Sequence, residues 1–496
     1  MLISNYSPDC ELVIGIVAPV GVNLDDVQNR LESLFRQFLY EFNFIHISKL
    51  CHPYLPAQTT AVTELERLDS GMNNGNILRG KYERGDFCAL LAINAINEKR
   101  ANINSGKFES LKRHVHVIRS LKHPDEIETL RRVYGDGFFL LGVSSTIASR
   151  TSYLENLKGV PESQIDRLIA RDDKEAGDYG QRTRDVFKLA DAFVTTDDAF
   201  PLSEQLSRIL DLLFSAPVVS PTADEYAMFL AYAASLRSAD LSRQVGAVIS
   251  NIYGDIVATG ANDVPRFGGG LYWPTNDEKR DHVLGEDSNE MEKRKIVLRI
   301  MKKLDPNSEK DEENLIAEGR KILSDTGILN ISEYGRAVHA EMEAIISAAR
   351  NGISIRGSTL YSTTYPCHNC AKHIVAAGIS KVKYIEPYPK SYATKLHEDS
   401  IEANRSIEAN GNGGSTKVQF EAFVGIGPRR FVDLFSMGLS SGRKLIRKQD
   451  GRLIDWNRNT AGLRVPLIPL SYLEAERNLV NELQQITADQ VGATTA

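Results

Sequence analysis

The chain has 496 residues, of which 42% are hydrophobic and 25% charged, with a formal net charge of −6. Such proportions belong to globular proteins, and this length calls for two or three domains rather than one core. The acidic balance speaks against a tight non-specific grip on DNA or RNA, which needs a basic face, and leaves free nucleotides open.

The five cysteines, Cys10, Cys51, Cys88, Cys367 and Cys370, are sparse and odd in number. They form no disulfide framework and point to a reducing, cytoplasmic setting. The apolar stretch from Leu12 to Val22 has no preceding Lys or Arg and ends in a glycine turn, so it is not read as a signal peptide. No apolar run of about 18 residues occurs, so no membrane span is expected.

In chain order, Leu12–Val17 reads as a buried strand. Val27, Leu31, Leu34, Phe35, Phe38, Leu39 and Phe42 then recur at helical spacing. Residues 87–93, 115–118 and 138–143 are further strand candidates, and Pro124-Asp125-Glu126 suits a helix start. This alternation predicts an α/β first domain over 1–195. Residues 196–222, with Pro201, Pro217 and Pro221 around one short amphipathic helix, read as a linker. A second pattern begins at Ala223: helix 223–237, strand 245–250, strand 256–259, helix 339–350, strand 359–364, helix 367–377 and strand 382–386. It spans 223–440, with an insertion over 266–335 that holds a Gly-rich loop and a charged helical stretch. Residues 441–496 form a C-terminal extension.

Two short motifs in the second pattern carry chemistry. His339-Ala340-Glu341 and Pro366-Cys367-His368-Asn369-Cys370 fit the H-x-E…P-C-x-x-C pattern of zinc-dependent nucleobase deaminases. Cys367 and Cys370, three apart in a helix's first turn, project to one side, and His339 adds a third ligand from a neighbouring helix start. Three protein ligands leave a fourth tetrahedral position for water, whose pKa zinc lowers to roughly 7. Glu341 is then the general acid/base, moving protons from water to the ring nitrogen and on to departing ammonia. A lone C-x-x-C also fits a redox motif or half of a structural zinc site. Asn262 follows a strand end, where it can hydrogen-bond a sugar hydroxyl or simply form a turn. Tyr388 and Lys390 follow the last core strand, where they can pack on base or sugar and meet phosphate, or face solvent. The loop Gly268-Gly-Gly-Leu-Tyr-Trp273 is read either as a nucleotide contact or as a flexible linker.

Residues 337–345 and 361–372 resemble the two zinc motifs of deoxycytidylate (dCMP) deaminases, and Ser242-Arg243-Gln244-Val245-Gly246-Ala247 resembles that family's first strand. The resemblance implies a cytidine-deaminase-like, mixed five-stranded sheet flanked by helices. It also implies a homo-oligomer, a hexamer being the size that suits the family. The insertion has no cysteine, so a second, cysteine-bound zinc has no support.

The first half resembles P-loop nucleotide kinases with one difference. Aligned to G-x-x-x-x-G-K-[ST], residues 18–25 place Asn23, Leu24 and Asp25 where glycine, lysine and a hydroxyl belong. A P-loop kinase-like parallel sheet with helices is therefore expected, with phosphoryl transfer lost and a sensing, inhibitory or assembly role in its place. Together the halves resemble bacterial antiviral (anti-phage) deoxycytidine nucleotide deaminases. That resemblance implies hydrolytic deamination of dCMP and/or dCTP to dUMP or dUTP plus ammonia, depleting the deoxycytidine pool. An inhibitory RNA, protein or nucleotide at the N-terminal half is a further partner class. The rivals are a deaminase acting on a base in RNA or single-stranded DNA, and a zinc-containing nucleotide sensor without turnover.

Overall fold

Six apolar residues in succession, Leu12–Val17, have no polar face to show to water, and all six are buried as strand β1. In the computed structural model, residues 9–55, 63–107, 109–175, 177–197, 201–324, 326–386, 391–403, 416–467 and 469–494 are described. β1 is flanked by β3 (His114–Arg119) and β4 (Phe138–Ser144), with β2 (Glu41–His46) outside β3 and β5 (Ala192–Thr195) outside β4. All four pairings are parallel, giving the order β2-β3-β1-β4-β5. The two-residue strand Gly425–Ile426 adds to β5 antiparallel and makes the sheet six-stranded. Parallel strands covered on both faces read as near-continuous apolar runs, and β1 and β4 do so.

Two local expectations are corrected here. Phe42 lies on β2, not on the first helix, which runs Leu24–Gln37. Leu39 adopts φ 57°, a left-handed turn that stops the helix and starts the strand. Residues 87–93 open the helix Phe87–Ile103, and seven buried side chains in a row there come from burial on every side. Periodicity cannot tell such a helix from a core strand.

The described chain divides at Glu225 and again before Ala422: residues up to Glu225 and those from Ala422 on form one compact unit, and those between form another. The sequence reading set domain limits at 195 and 440. The segment read as a linker contains the helix Leu202–Leu213, which buries Leu206, Ile209, Leu210 and Leu212 in the first unit. The C-terminal helix Pro469–Thr494 belongs to that unit too.

A buried ion network holds the C-terminal helix in place. Arg100, 1% exposed, donates to Glu11 from Nε (3.1 Å) and Nη2 (3.0 Å), and to Glu476 of the C-terminal helix from Nη1 (2.5 Å). The Tyr472 hydroxyl donates to Glu11 (2.6 Å) and the Tyr134 hydroxyl to Glu476 (2.7 Å). Burial opposes the charge of Glu11, but the nearby His116 ring and the Arg100 guanidinium hold its carboxyl at about 2. Burial pushes Glu476 up.

The second unit carries another six-stranded sheet, in the order β10-β11-β9-β8-β6-β7. Its strands are β6 (Gly246–Ser250), β7 (Ile256–Ala261), β8 (Thr359–Thr364), β9 (Lys381–Glu386), β10 (Ile401–Ala403) and β11 (Val418–Ala422). β6 pairs antiparallel with β7 and β8, whereas β8–β9 and β10–β11 are parallel, so the sheet is mixed. The expected five strands gain a three-residue sixth, β10. The insertion's two longer helices, Ser288–Leu304 and Glu312–Ile322, pack around a small core of Val297, Met301, Leu315 and Leu323.

Replacing Arg100 with Met removes the guanidinium that bonds both buried carboxylates and should lower the unfolding free energy by about 3–5 kcal/mol. A denaturant titration of Arg100→Met against the parent chain measures it.

Candidate metal centre

Two helix starts create the site. His339 occupies the position before the first turn of helix Ala340–Arg350, with extended backbone (φ −68°, ψ 151°). Cys367 has the same role for helix His368–Ala376 (φ −70°, ψ 167°), and Cys370 lies in that helix's first turn. Pro366 fits here because a helix entry needs no amide donor from it.

Glycine sets how close the first of these helices comes to the sheet. A Cβ at Gly260 on β7 would stand 2.1 Å from the Ala340 carbonyl oxygen and 2.5 Å from the Ala344 nitrogen. Only a residue without a side chain permits that approach. The segment leading to His339 is fixed by a bridge between Asp263 and Val338, whose amide donates to the Asp263 carbonyl at 2.9 Å. Asp263 is itself held by Arg280 at 3.1 Å.

The three side chains named from the sequence come together. His339 Nδ1 stands 3.2 Å from Cys370 Sγ and 3.3 Å from Cys367 Sγ, and the two sulfurs are 3.6 Å apart. Two ligands on one tetrahedral zinc at ordinary bond lengths stand about 3.5–3.8 Å apart, so the set fits the ion with small adjustment. A hydrogen bond from Cys370 pulls the Cys367 thiol down to about 4, the thiolate form a metal needs; the same contact and burial push Cys370 up. Among the described residues, His339, Cys367 and Cys370 are the group able to hold a metal ion. Three protein ligands leave one position open, as in catalytic rather than closed structural zinc sites.

Glu341 stands beside this set, 3% exposed, with Oε2 3.4 Å from Cys370 Sγ. Burial raises its carboxyl above the ordinary value. Ser362 Oγ lies 3.4 Å from the other oxygen, Oε1. Sequence reasoning missed Ser362. The signal was a hydroxyl next to Leu360 on the inward face of β8.

Asn262 is buried, and its amide is taken up locally. Oδ1 accepts from the Val245 amide (2.6 Å) and Nδ2 donates to the Arg243 carbonyl (2.8 Å), which pins the loop feeding β6. Tyr388 and Lys390 lie outside the described residues. The loop Gly268–Trp273 lines a cavity of about 760 Å³ with Arg237, Glu343 and Arg350. The Arg237 guanidinium stacks 3.8 Å from the Trp273 ring centre. Glu343 is two residues beyond Glu341, so this cavity is on the other side of the helix from the metal centre.

A histidine and two cysteines around an open position, with a buried carboxylate alongside, form a set that fits a zinc ion with room for one further ligand. Residues 221–386 match the family described as the cytidine and deoxycytidylate deaminase zinc-binding region, and all but the first five of them lie in the second unit. The deoxycytidylate deaminase of Enterobacteria phage T2 is 49% identical over 71 residues, 14% of this chain and 36% of that protein. ComE operon protein 2 of Bacillus subtilis is 40% identical over 79 residues, 16% of this chain and 42% of that protein. The chain thus spans between a third and a half of the length of these relatives. Among solved structures, the cyanophage S-TIM5 dCMP deaminase in complex with dCMP and dUMP aligns at 19% identity with a TM-score of 0.24, covering 41% of this chain and 99% of that one. No helix among the described residues is long and apolar enough to cross a membrane.

Purified protein should carry about one zinc per chain, and Cys367→Ser or His339→Ala should lower that several-fold or more, as removal of a ligand does. Gly260→Ala, which alters no ligand, should also reduce zinc content by displacing the His339 helix. Elemental analysis after exhaustive dialysis reads all three.

Proposed function

We propose that this chain is a zinc-dependent hydrolase that deaminates deoxycytidine nucleotides, dCMP and/or dCTP, giving dUMP or dUTP and ammonia. The observation that carries this reading is the buried carboxylate of Glu341 set against His339, Cys367 and Cys370. When bound there, zinc supplies a Lewis acid that makes water a nucleophile near neutral pH. Glu341 Oε2, the oxygen facing the three ligands, takes a proton from the attacking water and passes it to N3 of the cytosine ring. The same carboxyl then carries a proton to the amino group that leaves as ammonia. Burial of Glu341 keeps bulk water from competing for those protons. A base within RNA or single-stranded DNA is the weaker reading, because a net charge of −6 offers no general hold on a polyanion.

The first unit is read as a P-loop kinase-like fold that has lost phosphoryl transfer. The strand order β2-β3-β1-β4-β5 and the loop after β1 support this. One amide of that loop is already taken from within: the Val20 amide donates to Asp172 (2.8 Å), where a phosphate-cradling loop would offer its amides to a ligand. Lys122 Nζ donates to both Asp172 and the Ala18 carbonyl at 2.7 Å, and Asn23 caps the helix Leu24–Gln37. Regulation or assembly of a homo-oligomer is the role left to such a unit, through an inhibitory RNA, protein or nucleotide. Depletion of deoxycytidine nucleotides in the cytoplasm, as an antiviral defence, completes the reading.

Zinc-loaded protein offered dCMP, dCTP, CMP, CTP and single-stranded DNA separately should release ammonia from the deoxycytidine nucleotides alone. Glu341→Gln should lower kcat by about 10²–10⁴-fold with zinc retained, the range for loss of a general acid/base. Silence on every nucleotide from zinc-replete protein would remove the reading. In the same preparation, calorimetric titration with Mg·ATP should give no binding heat, since Asp172 and Lys122 already occupy the loop.

A further inference from the structure

We propose that Ser362 is a positioning residue for Glu341, an inference that rests on the deaminase reading above. Ser362 sits mid-strand in β8, opposite Ala247 of β6 and Tyr384 of β9, so its backbone is fixed from both sides. It is completely buried, at 0% exposure. In a strand every second residue shares a face, which puts Ser362 beside Leu360, itself fully buried. A hydroxyl in that setting costs stability unless it is bonded.

The partner of the Ser362 hydroxyl is Oε1 of Glu341, 3.4 Å away. The other carboxylate oxygen, Oε2, faces Cys370 Sγ at 3.4 Å. The two oxygens therefore have different duties. Oε1 is tethered to the centre of the sheet, and Oε2 is presented to the metal ligands. Glu341 enters from the first turn of helix Ala340–Arg350 on a side chain with three rotatable bonds, and its own backbone cannot fix which oxygen points where. The Ser362 hydroxyl supplies that choice from a separate element. Hydrogen bonds of this kind are long before substrate binds and tighten in the reacting complex. Losing the tether leaves Glu341 in place but lets Oε2 rotate away from the attacking water and from N3. The chemical step then slows while nucleotide binding is unaffected.

The test uses the full-length, zinc-loaded chain with whichever of dCMP and dCTP the parent turns over. Ser362→Ala should lower kcat by about tenfold, with KM within about twofold and zinc content unchanged, since misplacing a catalytic group by a fraction of an ångström costs that much. Ser362→Thr, which keeps the hydroxyl, should restore kcat to within about threefold of the parent. In a Glu341→Asp background, where the shorter carboxylate no longer reaches β8, Ser362→Ala should add no further loss. The proposal is overturned by a Ser362→Ala kcat within about twofold of the parent, or by an equal loss in the Glu341→Asp background. A parent protein inactive on both nucleotides overturns the deaminase reading instead, a result that no Ser362 variant can produce.

Discussion

The metal centre depends on how closely one helix can lie against one strand. Gly260 has no side chain, and the backbone of helix Ala340–Arg350 uses the space, with the Ala340 carbonyl 2.1 Å from where a Cβ would be. From that contact follow the position of His339 at the helix start and the entry of Glu341 one residue into the first turn. The cysteine-bearing helix is set by a second constraint, the end of β8 at Thr364 and the turn through Pro366. Ligands from two helix starts, neither of which could hold a metal alone, then meet within 3.2 to 3.6 Å.

Elsewhere the chain uses buried polar groups as internal fasteners. In the first unit Arg100 serves Glu11 and Glu476, residues 465 positions apart by their numbers, and so ties the last helix to the sheet that begins the chain. Lys122 and Asp172 close the loop after β1 in a similar way. In the second unit Asn262 clamps the loop before β6 and Asp263 the segment before His339. Each is a polar side chain that bonds to backbone groups or to an opposite charge, and each holds an element on which the site or the sheet depends.

The motif residues were legible because their chemistry is local. A C-x-x-C at a helix entry and a histidine two residues before a glutamate announce a metal-binding set whatever surrounds them. The strands β1, β4 and β6 were legible from apolar runs, and β3, β8 and β9 from short β-branched and aromatic segments. The helix Phe87–Ile103 was not, because burial on every side erases the polar face that marks a helix. Nor was β2, where the left-handed Leu39 interrupts a spacing that otherwise continues to Phe42. The helix Leu202–Leu213 looked like linker because its neighbours are prolines, and only its burial assigns it to the first unit.

The sequence by itself determined the donor set His339, Cys367 and Cys370, the carboxylate beside it at Glu341, the α/β character of both halves and an Asn23-Leu24-Asp25 stretch in the loop after β1. Tertiary structure alone decided the rest. It returned residues from Ala422 on to the first unit, gave the amide of Asn262 to the backbone of residues 243–245, and put the Ser362 hydroxyl against Oε1 of Glu341. The reason is one of range. Ligand identity and helix entry are set by residues a few positions apart, whereas a tether between a strand and a helix 21 positions away in number exists only after both have packed.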